Sequence, residues 1–238
     1  MPMQSAFWRQ HAFTLVIIAC AAFVVLTAVA MLFYPGGTVT DWTTKGYSFF
    51  TNFFSDLGMT QSHSKQPSPV SSVLFFVAMA SAGGALALFF IAFPRLFVET
   101  SSGKILSIIG SIFGVVSGIC FVGVAFTPAN LYLDAHVQFV LWAFRLFPVA
   151  VVFYAIAIFR ERNYPKRYAW VFVAFAILLV LYILLLEGGP SARSPEGLMI
   201  QATGQKIIGY ASIISVLIQA WGARGVARNS GSIPSGSI

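Results

Sequence analysis

Six long apolar stretches, separated by mostly short polar connections, set the pattern of this chain. They cover residues 12–34, 71–93, 105–126, 132–159, 168–186 and 198–222. Each reaches or approaches the ~20 residues that a helix needs to cross a hydrocarbon layer ~30 Å thick. The pattern predicts an all-α, integral membrane six-helix bundle. One connection, 35–70, is long. Within it Phe50, Phe53, Phe54 and Leu57 recur at the spacing of one helical face, with Ser48, Thr51, Asn52 and Ser55 opposite and Gly58 placed to end the run. That spacing predicts a short amphipathic helix over 46–57, lying in the interface of the first outer loop. The following Gln61–Pro69 stretch is rich in Ser, Gln and Pro and reads as an exposed loop.

Composition narrows the class. Of 238 residues, 58% are hydrophobic and 9% charged, against ~25% charged in soluble domains. That much apolar surface needs lipid as part of its solvent. The transmembrane domain takes residues 1–222. The Gly/Ser/Arg-rich stretch 223–238 reads as a disordered cytoplasmic tail. The first apolar stretch exceeds the 7–15 residues of a signal-peptide core, so it is read as an uncleaved helix.

The net charge of +7 does not imply a nucleic-acid partner, because its distribution follows the connections. Arg9, Arg95, Lys104, Arg160, Arg162, Lys166, Arg167, Arg224 and Arg228 fall on one side, and Lys45, Lys65 and Arg193 on the other. Basic residues stay cytoplasmic on insertion, which puts both termini inside a cell membrane. Cys20 and Cys120 fall in different spans at different depths, so no disulfide is expected.

Three groups of polar residues are candidates for chemistry. Arg145 lies near the middle of the fourth stretch, where a charge costs ~2.5–3.5 kcal/mol, so it is expected to face the bundle interior or a wet cavity. Asp134, Gln138 and Trp142 share its helical stripe, and Pro148 one turn on predicts a bend. Asp56 is the first candidate for its counter-charge and Glu187 the second. In the sixth stretch Gln201, Gln205, Ser212 and Gln219 share a face, with Lys206 beside them, as interhelical hydrogen-bonding groups or as the wall of a polar cavity. An intramembrane lysine also evokes a retinal Schiff base, but retinal proteins have seven helices and six are counted here.

The third group is Asn52, Ser55, Asp56, Asp134 and His136 on the outer side. Its spacing matches no hydrolase or metal signature: there is no HExxH, no GxSxG and no His pair at i and i+4. No metal or other cofactor is called for, and no enzyme is specified. Gly110, Gly114 and Gly118, every four residues in the third stretch, let a helix approach closely. They form a packing groove within the bundle, or a face for a second copy or a membrane partner.

Two segments resemble a known family. Asn52-Phe53-Phe54-Ser55-Asp56-Leu57-Gly58 resembles the N-x-x-SDLG signature of an uncharacterised family of bacterial and archaeal multi-pass proteins. Gly123-Val124-Ala125-Phe126-Thr127-Pro128, followed by Asp134 and His136, resembles that family's second signature. The family is similar in outline to the eukaryotic FRAG/DRAM/Sfk six-helix group. The resemblance implies a six-helix bundle and, through the eukaryotic group, roles in lipid handling. It brings no catalytic residues.

Together these readings predict a protein that handles a membrane lipid or an amphipathic anionic ligand in an outward-facing cavity. Asn52, Ser55, Asp56, Asp134, His136, Gln138, Arg145, Gln201, Gln205 and Lys206 are its candidate binding residues. The alternatives are a small-solute or proton-coupled transporter using Arg145, Lys206 and the glutamines, or an accessory membrane subunit.

Overall fold

A computed structural model describes residues 11–229. It contains six long helices: α1 (Ala12–Phe33), α2 (Pro69–Ala92), α3 (Ser101–Phe126), α4 (Leu133–Arg160), α5 (Arg167–Gly188) and α6 (Pro195–Asn229). All six are long and apolar enough to cross a membrane. At 1.5 Å per residue the shortest, of 22 residues, spans about 33 Å. Among the described residues the only β pairing is two isolated bridges, Gly36 with Lys45 and Gln61 with Pro67.

Local chemistry fixes several helix starts. Pro69 occupies the first turn of α2, where its missing N–H costs nothing. The Thr100 hydroxyl accepts from Gly103 N to cap α3, and Ser194 does the same for Gly197 at the start of α6. The last helix continues to Asn229, so a tail beginning at 223 is corrected: 223–229 is helical, and 230–238 lie outside the described residues. The Ala- and Arg-containing sequence carries the helical hydrogen bonding past the end of the apolar stretch.

Each helix packs against its neighbours in sequence, and α1 packs against α6, so the six close into a ring. At the end opposite the long loop the ring is filled by aromatic side chains. Phe93 stacks on Tyr154 with ring centroids 4.6 Å apart, and Phe97 stacks on Tyr164 at 5.7 Å. Phe13, Phe89 and Phe172 are buried with them. A second, smaller core lies under the long loop and includes Phe23, Tyr34, Phe54, Leu57 and Phe75.

The α3 glycines are filled from within the chain. A Cβ on Gly114 would lie 2.2 Å from the buried Phe90 ring, one on Gly110 2.9 Å from Tyr154, and one on Gly118 2.8 Å from the Ala87 backbone. Ser111 donates to the Phe90 carbonyl and Ser117 to that of Ala143, so the small face of α3 bonds both neighbours. Helix α4 runs uninterrupted through Pro148.

Connections at the aromatic end are tied together by acids. Glu99 Oε2 accepts from Arg162 N at 3.1 Å, and Glu161 Oε1 accepts from Glu99 N at 3.3 Å. Glu161 is 2% exposed and its Oε2 has no partner. Burial raises its carboxyl above the ordinary value, the Glu99 backbone N–H opposes this, and the Glu99 carboxylate adds to the rise.

Gly114→Ala lowers stability by ~1–3 kcal/mol, because the buried Phe90 ring has nowhere to go. Gly84→Ala, with nothing within 4 Å of its Cβ, leaves the Tm unchanged or raised. Thermal unfolding in detergent compares the two. For Glu161, the folded protein holds the proton more tightly than the unfolded chain. Its contribution to stability is therefore lost as pH rises from the ordinary value of 4.5 through the raised folded one. Glu161→Gln is expected to raise the Tm at neutral pH, with the gap closing as pH falls toward the ordinary carboxyl value.

Candidate functional site

The long loop is not a helix over 46–57 but a folded cap whose helical part is a five-residue 3-10 turn, Phe54–Gly58. Its other backbone groups find acceptors and donors within the loop and on α6. Gly36, Gly37 and Gly46 take positive φ, and a Cβ on Gly37 would lie 2.3 Å from Ser64 N, so only glycine lets 36–37 meet 63–64. The Gly37 carbonyl then accepts from Asn52 Nδ2 at 2.8 Å and from the Tyr34 hydroxyl at 3.4 Å.

Asn52 and Asp56 organise the cap from inside. Asn52 is fully buried; its Oδ1 accepts from Ser48 N and its Nδ2 also donates to Asp56 Oδ2, each at 2.9 Å. The same Oδ2 accepts from Phe53 N at 2.9 Å, which fastens the start of the 3-10 turn. Asp56 Oδ1 meets His63 Nε2 at 3.3 Å. The sequence placed His63 in a solvated loop; the turn at 62–65, with Lys65 in the left-handed region, folds it back onto Asp56 instead. Burial pushes the phenols of Tyr34 and Tyr47 up, and the Asp56 carboxylate adds to both.

Helix α6 holds this cap from the side. Gln205 Oε1 accepts from Phe54 N at 2.7 Å. Lys206 is fully buried, and its Nζ donates to the carbonyls of Asn52 and Ala202. The ammonium also lies over the rings of Tyr47, Phe49 and Phe54 at 5.3–6.0 Å. Gln201 Nε2 bonds the Leu185 and Pro190 carbonyls at the end of α5, and Gln219 Nε2 bonds the Tyr168 carbonyl near its start. The α6 stripe therefore joins helices and loop. Ser212, on the same stripe, bonds only its own helix, at Ile208 O.

Arg145 is placed otherwise than expected. Its guanidinium lies on the outside of the bundle, with Nε and Nη2 donating to Glu187 Oε1 at 3.0 and 2.8 Å. The two side chains are 43% and 46% exposed. Glu187 is the second-last residue of α5, which puts Arg145 at the level where that helix ends. Helix α4 is 28 residues long, about 42 Å, so the midpoint of the apolar stretch is not the midpoint of a ~30 Å layer. Asp134, Gln138 and Trp142 do share the stripe, but they too are exposed, and the Arg145 guanidinium covers the Trp142 ring at 5.7 Å. Asp56, the first candidate for its counter-charge, is occupied within the cap, and Glu187, the second, is the partner found. The expected cavity lined by Asp134, Gln138 and Arg145 is not formed.

The cavity that is formed lies beneath the 3-10 turn. It has a volume of about 100 Å³ and is walled by Phe23, Phe54, Phe75, Phe121, Phe144 and Phe147 together with aliphatic residues of α2, α3, α4 and α6. Ser55, Gln205 and Ser212 are its polar side chains. A second chamber of about 170 Å³ lies beside it, between α2 and the α3–α4 turn, and includes Thr60, Pro128 and His136. Ser55, Phe75 and Val124 line both. Of the ten candidate residues, the structure gathers Asn52, Ser55, Asp56, His136, Gln205 and Lys206 around the cap and its two chambers. It places Gln201 at the end of α5 and Asp134, Gln138 and Arg145 outside. Tyr34, Tyr47 and His63 belong to the cap but carried no spacing signal. Among the described residues no three His, Cys, Asp or Glu side chains converge as a metal site.

A family model described as a protein of unknown function, DUF998, matches residues 27–223, from the last two turns of α1 through most of α6. No curated protein and no solved structure matches the chain.

Removing the buried ammonium tests the cap. Lys206→Met is expected to weaken the docking of the cap on the bundle by ~1–3 kcal/mol, because it strips the Asn52 carbonyl of its charged donor. Limited proteolysis between residues 38 and 50 should accelerate in this variant before the Tm of the bundle shifts appreciably.

Proposed function

The chain belongs to the DUF998 family of proteins of unknown function, and we propose that it binds the hydrocarbon chain of a membrane lipid or similar amphiphile beneath the 52–58 cap. The observation that carries this reading is the cavity wall: six phenylalanines and only three polar side chains. An apolar void of this kind stays dry, and its lining lacks dispersion partners until a chain enters. The aromatic plug at the other end of the ring gives the cavity a floor. The cap, fastened by Gln205 and Lys206, gives it a roof.

Recognition of an anionic head through Arg145 is not part of this reading, since that guanidinium is paired with Glu187 away from the cavity. A transport pathway through Arg145, Lys206 and the α6 glutamines has less support, because Lys206, Gln201, Gln205 and Gln219 all hold backbone groups in place. We place the protein in the cell membrane with the aromatic-plug end cytoplasmic. Arg95, Lys104, Arg160, Arg162, Lys166 and Arg167 lie in the connections at that end or in the helix turns beside them, and basic residues so placed stay inside.

Native mass spectrometry of the purified protein is the direct test, with a co-purifying lipid as the expected result. Ser212→Leu puts a larger apolar side chain into the cavity in place of a hydroxyl that bonds only its own helix. It should abolish lipid retention while keeping or raising the Tm of the empty protein. Arg145→Ala should leave retention unchanged. An unliganded wild type, or equal retention by Ser212→Leu, would overturn the proposal.

A further inference from the structure

His136 is 5% exposed and lines the second chamber. Its Nδ1 lies 2.6 Å from the Thr127 carbonyl, and a carbonyl only accepts, so Nδ1 carries a proton. The other ring nitrogen, Nε2, is buried and has no protein partner. A doubly protonated ring would leave a buried cation with an unused N–H, which is the costlier arrangement. The ring is therefore the neutral tautomer, and Nε2 offers a lone pair. A buried acceptor left unpaired costs free energy that a ligand donor recovers.

From this we infer that the second chamber is the head-group subsite of the cavity, and that it takes an uncharged hydroxyl, donated to His136 Nε2. The inference rests on the lipid-chain reading above and narrows it to a class: a single-chain amphiphile whose polar end is an alcohol. The two chambers share Ser55, Phe75 and Val124. A chain lying in the Phe-walled cavity has only this common wall between it and His136, and its side chains give way for the head to reach the ring. The rim residues Thr60 and Val73 are exposed, so the head enters at the bundle surface. Carboxylates and phosphates are the wrong chemistry here, because an anion presents lone pairs to a lone pair. The Asp56 carboxylate, held by Asn52, Phe53 and His63 in the same cap, further disfavours a second negative charge.

The test uses the full-length protein in nanodiscs and tritiated 1-tetradecanol as probe, displaced by unlabelled tetradecanol or by its methyl ether. The ether has the same chain and an acceptor oxygen but no hydrogen to donate. Tetradecanol is expected to displace at a roughly tenfold lower concentration than the ether, the penalty of one buried acceptor left unpaired. His136→Asn can keep a donor for the Thr127 carbonyl while deleting the Nε2 acceptor, and should bring the two curves together. Because the alcohol-to-ether ratio is read in the wild type, the outcome does not depend on that variant assembling. Equal displacement by alcohol and ether in the wild type overturns the hydroxyl subsite and leaves the chain cavity standing. Probe that is not retained at all overturns both.

Discussion

A buried ammonium, that of Lys206, ties together the two parts of this molecule that matter for a site. Deep among apolar side chains a cation needs acceptors, and α6 supplies only one, the Ala202 carbonyl. The second acceptor comes from the long loop, at Asn52, and three aromatic rings of the same loop surround the charge. Satisfying one residue therefore draws the loop into the end of the helix ring. Once there, its own buried polar groups must be paired, and the Asn52–Asp56–His63 contacts do this. The folded loop is a consequence of that pairing requirement, more than of any propensity in residues 46–57.

That requirement also explains the cavity. A loop buried in a helix ring cannot fill space as densely as a seventh helix, since its backbone must turn to reach donors and acceptors. Leu57 and Phe54 fill part of the gap beneath it, and the remaining space is bounded by rings from five different elements. At the opposite end Phe93 stacks on Tyr154, and Phe97 and Tyr164, brought in by the two short connections there, stack on each other and close the interior. One end is thus packed to the density of a core, and the other keeps room for a guest.

Helix number, helix order and nearly every boundary were legible in the sequence, because twenty consecutive apolar residues admit few other structures. The segment 52–58 was legible as chemistry but not as conformation. Its Phe spacing fits a helical face, yet Asn52 and Asp56 bond the backbone locally in ways that compete with a helix, and Lys206 takes the Asn52 carbonyl. His63 could not have been found, since its position depends on Gly37 closing against the 63–64 backbone. Gln205 and Gln219 were expected as interhelical groups from their shared face, but which carbonyl or amide each meets is set by packing.

Arg145 and His136 show where reasoning from polarity alone goes astray. A charge in an apolar stretch looks like the more consequential residue, and its cost was the argument for burying it. That cost depends on depth, and the level of Arg145 is set by the end of α5, where Glu187 completes the pair at the bundle surface. His136 carries no charge, yet the fold leaves its hydrogen-bonding capacity half used. What distinguishes a binding group from a structural one is the valence left over after folding. In this cap the lysine, the glutamine and the carboxylate are spent on the chain itself, and an imidazole nitrogen remains for something else.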